Sequence, residues 1–149
     1  MAKSRVVRMQ ETWAQVRSLT GGQTAVLWCK RIAWRSNFLF GAAPSPGPSF
    51  AQALLSLDAT KRQLVALSLT YAENHYKNQA DLIRTVGLPA LLGILVLLGL
   101  DNRELSSAIV FLLATVVYAL LYFYFRRLSS IASTAVQSFH MIVVELHKP

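Results

Sequence analysis

Residues 106–125 read Ser-Ser-Ala-Ile-Val-Phe-Leu-Leu-Ala-Thr-Val-Val-Tyr-Ala-Leu-Leu-Tyr-Phe-Tyr-Phe, twenty side chains without a charge. Coiled as a helix at about 1.5 Å per residue they reach about 30 Å, the thickness of a bilayer's hydrocarbon core. Just upstream, residues 85–100 read Thr-Val-Gly-Leu-Pro-Ala-Leu-Leu-Gly-Ile-Leu-Val-Leu-Leu-Gly-Leu, again uncharged. At about 24 Å this stretch falls short of a crossing unless Leu82 and Ile83 join it and Arg84 snorkels to the headgroups. Only Asp101-Asn102-Arg103-Glu104-Leu105 separates the two, a connection short enough to force antiparallel neighbours. Neither stretch offers the polar face at 3.6-residue spacing that a water-exposed helix needs. The expected fold is therefore all-α: a two-pass transmembrane helical hairpin (85–100 and 106–125, spanning 85–125) with amphipathic helices before and after it.

Composition points the same way. The chain has 149 residues, 54% of them hydrophobic and 15% charged, against about 25% charged in ordinary soluble domains. A disordered chain and an assembly of several domains are both excluded. Fifteen Lys+Arg face seven Asp+Glu, for a net charge of +8. The cations lie mostly before the first span and just after the second, so the positive-inside rule puts both termini on the cytoplasmic or matrix side of an inner membrane, bacterial or mitochondrial. Tyr122 and Tyr124, followed by Arg126 and Arg127, read as an aromatic belt closed by a basic stop. With Arg84 at the mouth of the first span, these are the expected lipid-interface residues. The basic residues are scattered among tryptophans and valines and follow no recognition motif, so the expected partner is a bilayer with anionic headgroups and not nucleic acid.

The flanks divide at residues 41–48, Gly-Ala-Ala-Pro-Ser-Pro-Gly-Pro, a linker that three prolines keep from being helical. Before it, 1–40 should hold basic, aromatic amphipathic helices. Val6, Met9, Trp13 and Val16 share one helical face, with Arg5, Arg8, Thr12 and Gln15 on others. Gly21-Gly22 ends that helix, and 27–40 places Trp28 and Trp34 beside Lys30, Arg31 and Arg35, a pattern suited either to the headgroup layer or to protein packing. Glu11 is the only acid before Asp58, the bias of an organelle-directed leader, read here either as a retained leader or as the amino end of a bacterial protein that stays inside. After the linker, 49–84 should be an amphipathic helical region. Ser49 with Gln52 and Thr60 with Gln63 match capping boxes, the first heading a helix over 50–57. The second heads a helix over 60–84 that runs into the first span, with Gly87 and Pro89 permitting a bend. Its apolar face should carry Leu64, Leu67, Tyr71, His75 and Leu82. In 126–149, Leu128, Ile131, Ala135, Phe139, Ile142 and Leu146 share a face of a further amphipathic helix expected to pack on 60–84 or on a partner.

Chemistry is sparse. Cys29 is alone, which removes disulfides and CxxC sites; Lys30 and Arg31 beside it could favour a thiolate, but a small apolar filler is the expected role. His75, His140 and His147 form no HExxH or i,i+4 pair, and no Walker loop, GxGxxG or GxSxG is present. No catalytic, cofactor or metal residues, no cofactor and no small-molecule substrate are expected, and the chain should not be an enzyme. The spans lack Asp, Glu, Lys, Arg and His, which argues against ion-coupled transport. Gly93, Gly99 and the Thr115-Ala119 pair allow close helix approach. The expected function is that of a structural or assembly subunit in a larger membrane complex, of respiratory or ATP-synthase type, with Trp13, Trp28, Trp34, Tyr71 and Phe139 as contacts to other subunits or to copies of itself. The alternative is a self-assembling two-pass effector or pore former; in layout alone the chain resembles two-pass effector modules of bacterial defence systems and some holins. A curvature-shaping hairpin is the third option.

Overall fold

The computed structural model describes the backbone of residues 2–36, 44–101 and 105–146, and the side chains of 7–36, 44–97 and 108–145. Every regular element among them is helical: α1 (Ala2–Ala14) with a 3-10 turn at Gln15–Ser18, α2 (Gly22–Arg35), α3 (Pro48–Leu55), α4 (Ala59–Leu82), a π-helical turn at Ile83–Gly87, α5 (Leu88–Asp101) and α6 (Leu105–Leu146). Two stretches, Ala59–Leu97 and Ala108–Glu145, are long and apolar enough to cross a membrane, and the apolar window of neither is buried inside the chain. The expected roles of Phe38, Leu39, Phe40, the start of the linker, the centre of the 102–104 connection and His147 lie outside the described residues.

Local chemistry explains the boundaries, with two corrections. Ser49 does not cap α3. Gly47 stands at the N-cap and Pro48 in the first turn, where its missing N–H costs nothing, while the Ser49 hydroxyl is buried with no hydrogen-bond partner. Thr60 does not cap α4 either, because the Lys61 amide donates to the Asp58 carboxylate at 3.2 Å, the stronger acceptor for an orphan N–H. Arg62 then reaches back to the carbonyls of Leu57 (2.8 Å) and Leu55 (3.4 Å), a cation at the C-terminal end of α3. At α2 the Gly21 amide donates to Thr24 Oγ1 at 3.1 Å and the Thr24 hydroxyl donates back to the Gly21 carbonyl at 2.6 Å. The turn at Ile83–Gly87 sits where Gly87 and Pro89 were expected to permit a bend: Pro89 supplies no amide and its ring crowds the carbonyl four residues back, so the helix widens by one residue there. The expected separate helix over 126–149 is instead the second half of α6, since nothing between Phe125 and Leu128 breaks helix geometry.

The chain forms two compact units. The first comprises residues 1–76 and 127–149. At its centre Trp13 meets Trp28 edge to face at 5.2 Å between ring centroids and Phe50 likewise at 5.5 Å, while Trp28 and Phe50 stack at 6.3 Å. Such ring pairs add about 0.5–1.5 kcal/mol beyond their burial. Polar ties hold α1 to α2. Trp28 Nε1 donates to the Thr12 carbonyl at 2.8 Å, and Arg35 donates to Thr12 Oγ1 at 2.6 Å and to the Arg8 carbonyl at 3.2 Å. Thr12 is thereby buried together with Trp13 and Val16. From α4, Tyr76 donates its buried hydroxyl to the Val26 carbonyl at 2.6 Å, and the Tyr71 ring lies over Gly22 so closely that a Cβ there would collide with it. From α6 come the buried Leu128, Ile131, Ala132, Ala135 and Phe139, with Arg127 donating to Ser36 Oγ at 3.3 Å.

The expected inner face of α4 is corrected by this packing. Val65, Ser68, Leu69, Ala72 and Tyr76 are buried, whereas Leu64, Leu67, Tyr71 and Leu82 are exposed, Leu67 at 73%. The buried Ser68 hydroxyl donates to the Leu64 carbonyl of its own helix at 2.8 Å, so it meets no unsatisfied polar cost inside. On α6 the expected face of Leu128, Ile131, Ala135 and Phe139 is the buried one.

The second unit comprises residues 77–126. None of its described side chains is buried, and its surface is a run of exposed Leu, Ile, Val and Phe. Within it Gly87 is the point of closest approach to Tyr118: a Cβ there would stand 2.6 Å from Cε2 and 2.8 Å from Cδ2 of the ring. Gly93, expected to serve that purpose, has nothing within 4 Å.

Candidate membrane-contact surfaces

In the second unit, residues four apart on α6 build a ladder. Tyr118 stacks on Tyr122 at 6.4 Å, and the Arg126 guanidinium lies 6.0 Å from the Tyr122 ring centroid with Nη1 3.4 Å from the Tyr122 hydroxyl. Tyr122 also meets Phe123 edge to face at 5.8 Å, and Tyr124 meets Phe125 at 5.2 Å. Tyr118, Tyr122 and Arg126 share one face of α6 at this spacing, and an apolar stretch closed by amphipathic rings and a cation suits a headgroup layer. Arg84 is exposed on the π-helical turn, and Thr85 beside it returns its hydroxyl to the Asp81 carbonyl at 2.7 Å. Thr115, the polar group placed deepest in the second apolar stretch, donates to the Phe111 carbonyl of its own helix at 2.9 Å. Of the five expected interface residues, Arg84, Tyr122, Tyr124 and Arg126 thus lie in this unit. Arg127 lies in the other, where it bonds Ser36.

The expected partner contacts divide by burial. Trp13, Trp28 and Phe139 are taken up by the chain's own core and present almost no surface. Trp34 is 86% exposed and Tyr71 51% exposed, so only these two offer large rings outward. Tyr71 is half covered by Gly22 and stacks on His75 at 6.2 Å.

Sequence reasoning missed the outward face of α2. Its inward residues are Ala25, Trp28, Cys29, Ile32 and Ala33; Leu27, Lys30, Arg31 and Trp34 are exposed at i, i+3, i+4 and i+7. The signal was present in that spacing: Trp28 and Trp34 stand six residues apart, about 240° around a helix of 3.6 residues per turn, so they cannot share one face. Beside Leu27 and Arg31 an open cleft of about 190 Å³ is also bordered by Gln15, Ser18 and Thr24.

Cys29 is fully buried, and desolvation pushes its thiol up to about 12 from an ordinary 9.0. The neighbouring cations do not offset this, because Lys30 and Arg31 point to solvent from the other side of the helix. Among the described residues no group of three His, Cys, Asp or Glu could hold a metal ion. No protein-family model, curated protein or solved structure matches the chain.

Proposed function

We propose that this chain is a non-catalytic two-pass membrane protein that serves as a structural or assembly subunit of a larger membrane complex. Its apolar hairpin, residues 77–126, anchors a helical bundle that carries both termini on the cytoplasmic or matrix side.

One observation carries the topology. Residues 1–76 and 127–149 share a single core, while the segment between them contributes no buried side chain among those described. If the intervening apolar helices enter a bilayer, both ends of that segment must come back to the same side, which requires an even number of crossings. Two apolar stretches of crossing length supply that number. Exposing so many Leu, Val and Phe side chains to water would cost about 25 cal/mol per Å², a cost that lipid removes. The lack of Asp, Glu, Lys, Arg and His within 85–100 and 106–125 favours an anchor over an ion path. The exposed Leu64, Leu67 and Tyr71 on α4 supply an apolar surface for docking to another subunit.

The test is topological and biochemical together. Single cysteines at Ala2, Asn102 and Lys148, in a Cys29→Ala background, are probed with a membrane-impermeant maleimide on sealed vesicles. Labels on the two tails should share one side and the label at Asn102 the other, and alkaline carbonate should leave the protein in the pellet. Tails on opposite sides, or extraction into the supernatant, would overturn the anchor. Co-migration with a constant set of other proteins on native gels supports the subunit role; release of trapped dye by the pure protein overturns it in favour of a pore.

A further inference from the structure

We propose that the outward face of α2, formed by Leu27, Lys30, Arg31 and Trp34, is a docking surface for anionic phospholipid headgroups that lays the helical bundle against the bilayer. This rests on the reading of the hairpin as a membrane anchor and adds a second, peripheral contact to it.

Four observations converge on this helix. Trp34 is 86% exposed and Leu27 55% exposed, the two ends of an outward stripe on a helix whose other face is packed in the core. An indole left in water on a well-packed bundle is an unfilled contact, and its amphipathic ring suits the headgroup layer. Between the two stand Lys30 and Arg31, both exposed, and α2 carries no acidic residue to oppose them. Arg35 is not counted, because its guanidinium is committed to Thr12 and the Arg8 carbonyl. The 190 Å³ cleft beside this stripe is lined by Arg31 and Gln15, residues that carry hydrogen-bond donors, and by apolar Leu27. A phosphodiester accepts from the first two while its glycerol and first methylenes meet the third. Finally, Ser36 at the end of α2 accepts a hydrogen bond from Arg127, which follows Phe125, the last residue of the second apolar stretch, by two positions. With the hairpin inserted, the end of α2 that carries Trp34 is tied to a residue at the membrane border.

Lipid is favoured over an acidic protein because the anchor supplies it at high effective concentration, so each weak contact becomes an intramolecular one. Each juxtamembrane cation shifts the docked-to-undocked ratio by about fivefold.

The experiment uses the full chain in vesicles of phosphatidylcholine alone and of phosphatidylcholine mixed with phosphatidylglycerol. The emission of Trp34 is isolated by subtracting the Trp34→Phe protein, since Trp13 and Trp28 are buried. With phosphatidylglycerol present, Trp34 should emit at shorter wavelength, resist neutral acrylamide, and be quenched by lipid spin-labelled near the headgroup. Lys30→Gln with Arg31→Gln should lower the docked-to-undocked ratio about 25-fold and abolish the difference between the two lipids. Lys30→Arg with Arg31→Lys should retain it. Alkaline extraction of the same vesicles separates the two claims. A protein that stays in the pellet while Trp34 is equally accessible in both lipids overturns this surface alone. Shielding of Trp34 in phospholipid-free micelles that rises with protein concentration also overturns it, in favour of a second copy. A protein that extracts into the supernatant overturns the anchor and this surface with it.

Discussion

Ile131→Ala tests whether the two ends of the chain share one core. Ile131 lies on α6 and is fully buried, so the three carbons that the substitution removes all leave a dry environment. At about 0.8 kcal/mol per buried carbon the transfer loss is about 2.4 kcal/mol, and the cavity left behind raises it into the usual 2–5 kcal/mol range. The better helix propensity of Ala returns only a few tenths. In a unit of this size, residues 1–76 and 127–149, a loss of about 3 kcal/mol lowers the midpoint by roughly 12–24 °C. The assay is thermal unfolding of the detergent-solubilised protein followed by the emission of Trp13 and Trp28, which lie more than a hundred positions earlier in the chain. Met141→Ala on the same helix is the control: Met141 is 62% exposed and the midpoint should move little. An unmoved tryptophan transition in Ile131→Ala would mean that the far half of α6 unfolds apart from α1–α3. A shared core would then no longer hold both tails on one side of the membrane.

Other outcomes follow from single contacts. Gly87→Ala forces the Tyr118 ring back by several tenths of an ångström and should cost about 1–3 kcal/mol in detergent-to-SDS denaturation. Gly93→Ala, with nothing within 4 Å, should be neutral or slightly stabilising in the same titration. Tyr76→Phe removes the donor to the Val26 carbonyl and should lower urea stability by about 1–2 kcal/mol; an unchanged midpoint would mean that water replaces the hydroxyl. Cys29 holds its proton to about pH 12 when folded, against 9.0 when exposed. The folded state therefore binds the extra proton between those values, and stability should fall as pH rises above 9. At pH 8 the native thiol should resist maleimide and react once denaturant is added.

Much of the helix inventory is legible in residue order because local rules suffice. Gly21 and Gly47 stand at N-caps and Pro48 opens α3, so these residues mark helix boundaries, and the Leu128, Ile131, Ala135, Phe139 stripe has a single apolar face to bury. The outline of the apolar spans needs only length and the absence of charge. Caps were less legible, because Asp58 and not Thr60 accepts the Lys61 amide and Pro48 opens α3 ahead of Ser49, so two candidate caps lie within two residues of each other. Faces with two apolar options were illegible. On α4 both the Leu64, Leu67, Tyr71 stripe and the Val65, Leu69, Ala72, Tyr76 stripe satisfy helical period, and on α2 Trp28 and Trp34 look alike.

Residue order by itself determined that the chain is helical, that two stretches are long and apolar enough to cross a membrane, and where the punctuation falls, since each depends on neighbours within a turn or two. Only the folded arrangement decided which side of α2 and α4 turns inward, that Gly87 and not Gly93 receives a ring, and that residues 1–76 and 127–149 form one core. Those outcomes depend on close packing between segments far apart in the chain, where the small Ala72 is buried while the larger Tyr71 one position away is exposed, and where the Tyr76 hydroxyl finds the Val26 carbonyl fifty residues earlier.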